Sequence, residues 1–205
     1  MNIRHVIRFG LVAMVTAWIG SPAFAVIQLG GKVWQADISS DDSDGDALMY
    51  GPTIFADLSD TAWVSASYLL GEEDYAGDNS TDTWDAEGII GMSFSELEID
   101  LGLGFRFWHN EYATSNDTLD EYGPIAYVGM GDQFGESPFG WYGSGTWAFT
   151  DMGDSGDMAH FIVEGGLTMT LEGFTLAAGY RYKNYYDSPQ SYVYSGPSAN
   201  VSFSF

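Results

Sequence analysis

Charged side chains set the first chemistry open to this sequence. Six Lys or Arg residues stand against 29 Asp or Glu. Arg4 and Arg8 lie at the very start; the others are Lys32, Arg106, Arg181 and Lys183. Each of these four falls in a stretch that alternates apolar and polar residues, on the parity opposite the apolar one. The same parity carries Asp57, Asp85, Glu87, Glu98, Asp100 and Glu164. Acids and bases sharing one face of a set of strands are the material for buried ion pairs, or for a ring that coordinates a passing solute. Two pairings follow from short turns. A turn at Ser95–Glu96 sets Arg106 opposite Asp85, and one at Leu171–Glu172 sets Arg181 opposite Glu164. Directly opposed side chains come within about 5 Å. The expected network is therefore Lys32, Asp85, Glu87, Glu98, Asp100, Arg106, Glu164, Arg181 and Lys183.

The acidic run 41–46 invites a metal. Asp42, Asp44 and Asp46 alternate and Gly45 is interposed, but the run lacks EF-hand spacing and its closing bidentate Glu. A solvated acidic loop is the first expectation, Ca2+ bridging the second; Asp151, Asp154 and Asp157 read the same way. Beyond the first residues the histidines are His109 and His160, with no local serine motif beside them, so neither an enzyme nor a cofactor is expected. With no cysteine there is no disulfide and no thiolate chemistry. The acidic balance excludes nucleic acid held by phosphate neutralisation.

The elements that position these groups show a period of two. In Leu97–Phe107 one face reads Leu97, Ile99, Leu101, Leu103, Phe105, Phe107 and the other Glu98, Asp100, Gly102, Gly104, Arg106. A strand sorts residues in this way and a helix does not. Ten strands are expected, at roughly 26–38, 48–58, 62–71, 83–94, 97–108, 121–132, 139–150, 158–170, 173–185 and 191–205. The connections alternate short and long, as in membrane barrels with short turns at one end and longer loops at the other. The stretch 139–149 places Phe139, Trp141, Trp147 and Phe149 around Gly143 and Gly145 on one face, aromatics at both ends and small residues between. That suits two interfacial girdles better than a water-soluble sandwich, whose second face would be charged. The inward faces also carry Trp34, Phe55, Trp63, Trp108, Tyr127 and Tyr142, which crowd the interior, with glycines such as Gly102 and Gly129 leaving local gaps. Tyr50-Gly51-Pro52, Tyr122-Gly123-Pro124 and Tyr194–Pro197 read as a repeated rim device, with tyrosine at the outer interface and then a kink. The fold class is all-β: a transmembrane antiparallel up-and-down barrel of ten strands, with eight as the fallback count.

Residues 1–25 read as a signal peptide: a basic start, a short apolar stretch from Leu11 to Ile19, and Ala23-Phe24-Ala25 as the cleavage pattern. The barrel domain is then 26–205. With the alternating strands and the ending Val201-Ser202-Phe203-Ser204-Phe205, these features resemble small Gram-negative outer-membrane barrels of the OmpA, OmpX and OmpW kind. The resemblance implies insertion by the barrel-assembly machinery through Val201, Phe203 and Phe205, and an outer membrane whose lipid and lipopolysaccharide are the partners. It also implies periplasmic termini. The best-known members have eight strands; ten is the number of the omptin proteases. The expected role is structural or surface-interacting with a largely filled lumen, the alternatives being a narrow channel for small cationic or apolar solutes and a hydrolase at the rim.

Overall fold

The computed structural model describes residues 26–40, 44–75, 79–112, 118–148, 159–186 and 192–205. The expected leader, Asp42 and the run Asp151–Asp157 lie outside them. Ten strands are present: β1 Ile27–Ser40, β2 Asp44–Asp57, β3 Ala62–Tyr75, β4 Asn79–Phe94, β5 Ile99–Tyr112, β6 Thr118–Gln133, β7 Phe139–Ala148, β8 Ala159–Leu171, β9 Phe174–Tyr186 and β10 Tyr192–Ser204. Each is antiparallel to its sequence neighbours, and β1 pairs with β10 to close the barrel. The fallback of eight strands is set aside. At the seam the Phe205 N–H donates to the Ile27 carbonyl at 2.9 Å, so both chain ends of the barrel lie at one rim.

Several strands run further than their apolar residues. β2 starts at Asp44, β3 continues to Tyr75 and β5 to Tyr112. Their terminal residues are polar, which makes them look like loops in sequence. Ladder pairing uses the backbone, however, and the alternation persists there: Asp37 faces Asp46, which faces Asp74, all three exposed on the outer wall. Asp44 and Asp46 are thus strand residues, correcting the expected acidic loop. The same extension sets His109 opposite Asp120 in a β5–β6 ladder where a loop was expected.

Alternation sorts the barrel into two surfaces. Large apolar side chains stand exposed around the outside, among them Leu103 at 68%, Leu167 at 62% and Ile90 at 58%. Lys32, Arg106, Arg181 and Lys183 all point inward, where Arg106 and Lys183 are among the most deeply buried side chains. Tyr50 and Tyr122 stand on the outside, but Tyr194 is buried inside. The third copy of the tyrosine motif carries one extra residue, Ser195, and a single residue reverses the face.

Two turns set the registers that matter. Glu172 and Gly173 both have positive φ, 43° and 83°, and form the two-residue hairpin turn whose twist suits antiparallel strands. Leu171 pairs with Phe174, and Glu164 with Arg181. The β4–β5 turn differs from expectation. It takes four residues, Ser95 to Glu98, with Glu98 at φ 55°. Phe94 therefore pairs with Ile99, and Arg106 sits opposite Glu87 where Asp85 was expected. Glu98 becomes an exposed turn residue and leaves the lumen set altogether.

Candidate functional site: the filled lumen

The interior is layered, and its middle layer is a chain of ion pairs. Asp85 accepts from Arg106 twice: at Oδ1 from Nε, at 2.7 Å, and at Oδ2 from Nη2. Both residues are buried. Arg181 Nη2 lies 3.9 Å from Asp85 Oδ2, and its Nη1 donates to Glu164 Oε2 at 3.3 Å. Lys32 Nζ donates to the same Glu164 oxygen. Glu164 Oε1 accepts from Ser198 Oγ at 2.9 Å and Tyr142 OH at 3.2 Å. On the far side Arg106 Nη1 lies 3.4 Å from His160 Nε2. The belt thus runs from Lys32 through Glu164, Arg181, Asp85 and Arg106 to His160, tying β1, β8, β9, β4 and β5 across the lumen. A buried charge is tolerated only when such partners surround it.

Four residues of the expected network stand apart from this belt. Glu98 is in the turn. Asp100 lies half-buried on β5 towards the rim that carries the termini. Lys183, expected as an ion-pair partner, makes no hydrogen bond among the described residues although it is wholly buried. Its Nζ sits 3.0 Å from the Trp108 ring centroid, 4.2 Å from that of Tyr185 and 5.5 Å from that of Tyr194. Desolvated cation–π contacts of this kind are worth about 2 kcal/mol. Glu87 lies opposite Arg106 in the ladder and half-buried, facing the space below the belt.

Above the belt the lumen is packed. Trp34, Ile38, Met49, Leu69, Trp108, Tyr185 and Tyr194 form one buried cluster. Trp108 meets Tyr194 edge-on at 5.8 Å, and Trp34 tilts against Tyr194 at 6.3 Å. Glu73 is buried at the top of this layer and accepts from Tyr75 OH at 2.7 Å and Tyr194 OH at 3.4 Å. Sequence reasoning ended the third strand at 71 and so missed it; the parity of Leu69 and Gly71, carried two residues on, would have found it.

Below the belt a second cluster joins Trp63, Ile89 and Ile125, with Phe55 and Tyr127 against it. Phe55 stacks on Trp63 at 5.8 Å, and Trp63 meets Tyr127 edge-on at 5.5 Å. The inward glycines that were expected to leave gaps are seats for these side chains: Gly91 and Gly102 lie under the Trp63 ring, and Gly129 lies under Tyr127. Beside them a partly open chamber of about 210 Å3 remains, lined by residues including Gln28, Lys32, Phe55, Ser67, Glu87 and Arg181.

The two histidines lie on opposite faces of the wall. His160 is inside, 5.1 Å from the Tyr185 ring. His109 is on the outer wall, stacked on Trp84 at 5.4 Å, with Nδ1 2.5 Å from Asp120 Oδ1. Among the described residues no three His, Asp or Glu side chains gather to hold a metal ion. Phe203 and Phe205 are exposed on the outside of the closing strand.

No protein-family model and no curated protein matches the chain. Among solved structures it is similar to Neisserial surface protein A, with 16% identity over 87% of this chain and 97% of that one and a TM-score of 0.42. It is similar also to the β domain of the Bordetella autotransporter BrkA, with 13% identity, 88% and 100% coverage and a TM-score of 0.49. A third is the Pseudomonas putida toluene transporter TodX, with 10% identity, 90% coverage of each chain and a TM-score of 0.36.

Proposed function

We propose that this protein is an integral outer-membrane barrel with a closed lumen, acting in envelope structure and surface contact and not as an enzyme or an open pore. The observation that carries this reading is the packing of described residues at and above mid-lumen, from the Arg106–Asp85 and Glu164 belt up through Trp34, Trp108 and Tyr194. The outer wall supports membrane insertion. Its Leu, Ile and Phe side chains face a solvent that must be apolar, and every described Lys and Arg is turned away from it. A basic residue on a lipid-facing position costs about 2–4 kcal/mol at midplane. The termini lie in the periplasm, and Val201, Phe203 and Phe205 form the segment read by the assembly machinery. Aligned outer-wall acids such as Asp37, Asp46 and Asp74 repel one another unless cations intervene. Divalent cations, Ca2+ included, would link them to lipopolysaccharide phosphates. Planar-bilayer recording of the purified protein tests the closed lumen. Silence is the expected result, and discrete conductance steps would replace this reading with the second one, a narrow channel. What favours that second reading is the chamber below the belt, which leaves only the upper half of the lumen to be opened.

A further inference from the structure

We propose that the chamber below the ion-pair belt is a binding site for a small, neutral, polyhydroxylated solute of monosaccharide size. The chamber measures about 210 Å3 and is partly open, and its lining follows β1 to β4 and β10 down towards the rim that carries the termini. This is room for several waters, or for one solute of monosaccharide size in their place. Its ceiling is made of charges that already have partners. Lys32 and Arg181 both bond Glu164, and Arg181 also approaches Asp85. An anion entering the chamber would compete with two carboxylates for these cations.

The remaining lining favours hydroxyls. Glu87 makes no hydrogen bond among the described residues and presents a carboxylate that accepts from O–H groups. Ser67 is its direct partner across the β3–β4 ladder. Asn200 and Thr53, themselves in contact at 3.4 Å, add an amide and a hydroxyl from the other side. Phe55, held by its stack on Trp63, supplies an apolar face. An apolar plate beside a few converging polar groups is the usual make-up of a small-molecule site. Neutral hydroxyls exchange their water for these partners without importing a charge that the balanced belt would have to neutralise.

The test is calorimetric titration of the purified full chain in detergent micelles with D-glucose, with glycine as a zwitterion and inorganic phosphate as an anion in parallel. Saturable binding of glucose alone is expected. Glu87→Gln removes a charged acceptor and is expected to weaken binding about tenfold. Ser67→Trp fills the chamber and is expected to abolish binding while the barrel keeps the gel mobility of its folded form. If Ser67→Trp does not fold, Glu87→Gln decides. Absence of glucose binding to the folded wild type, tighter binding of glycine or phosphate, or unchanged glucose affinity in Glu87→Gln or in folded Ser67→Trp overturns the proposal. Because binding is read without reference to conductance, a silent barrel that binds glucose and a conducting barrel that does not are separate outcomes.

Discussion

Arg106 bonds Asp85, the residue two positions along β4 from Glu87, its own partner in the ladder. The guanidinium reaches diagonally, which long side chains do across antiparallel strands. This leaves Glu87 free to face the chamber and gives Arg106 a second acid within electrostatic reach. An asymmetry in mutational cost follows. Arg106→Ala takes from buried Asp85 both of its hydrogen bonds and leaves it only the more distant charges of Lys183 and Arg181, and should cost about 3–5 kcal/mol. Asp85→Ala leaves Arg106 beside Glu87 and should cost less. The apolar double variant, Arg106→Met with Asp85→Leu, should recover most of the loss. Urea titration of the barrel refolded into lipid vesicles, followed by tryptophan fluorescence, measures all three. Equal costs for the two single alanine variants would show that Glu87 does not stand in for Asp85.

Glu164 gathers Lys32, Arg181, Ser198 and Tyr142 on its two oxygens, whereas Glu98 stands exposed in a turn. Sequence parity placed both in one network, and the structure separates them. Glu164→Gln keeps the shape but leaves two cations sharing an amide, and should destabilise the barrel by about 2–4 kcal/mol. Glu98→Gln should change stability by less than about 0.5 kcal/mol. The same vesicle assay compares them, and a Glu98→Gln effect as large as that of Glu164→Gln would return Glu98 to the network.

What the sequence disclosed and what it withheld divide along physical lines. Inward and outward faces were legible because side-chain direction in a strand depends only on counting by two. The Arg181–Glu164 register was legible because the hairpin is short, although the turn is Glu172-Gly173, one residue later than the expected Leu171–Glu172. The register of β5 was not, because Glu98 adopts a left-handed backbone that its residue type does not announce. The aromatic surroundings of Lys183 were hidden for another reason. Tyr194 is the partner of Lys183 in the β9–β10 ladder, but Trp108 comes from β5, and only closure of the cylinder brings it to the lysine. The chamber was equally invisible, since it is defined by which side chains reach across the lumen and which stop short.

The β8–β9 hairpin offers a stabilising substitution. Glu172 holds φ 43° immediately before Gly173 at φ 83°. Asparagine tolerates the left-handed region better than glutamate, and Asn-Gly is the favoured pair for this turn. Glu172→Asn should raise stability by about 0.5–1 kcal/mol. It should leave the Glu164–Arg181 pairing unchanged, because the turn length is conserved. A higher urea midpoint with an unaltered slope checks this. A lower midpoint would mean that the Glu172 carboxylate makes contacts at the rim that outweigh its backbone strain.

The seal above the belt is carried by few side chains, so it can be opened deliberately. Trp34 and Trp108 both pack against Tyr194, and Lys183 is held against Trp108. Removing one ring leaves the other two and Ile38 in place, and a cavity bounded by apolar side chains stays dry. Removing two opposite rings joins the chamber to the upper rim and exposes Lys183 to water. Trp34→Ala with Trp108→Ala should therefore yield discrete conductance in planar bilayers where the wild type and each single variant are silent. Each alanine should also cost about 3–5 kcal/mol of stability, so folding is verified first by the gel mobility of the unheated barrel. The belt is already balanced and Lys183 shares the opened path with Glu73 and Glu121, so Lys183→Met should shift the current towards cations. A folded double variant that remains silent would locate the seal in the ion-pair belt itself, and Arg106→Ala would then be the substitution that opens it.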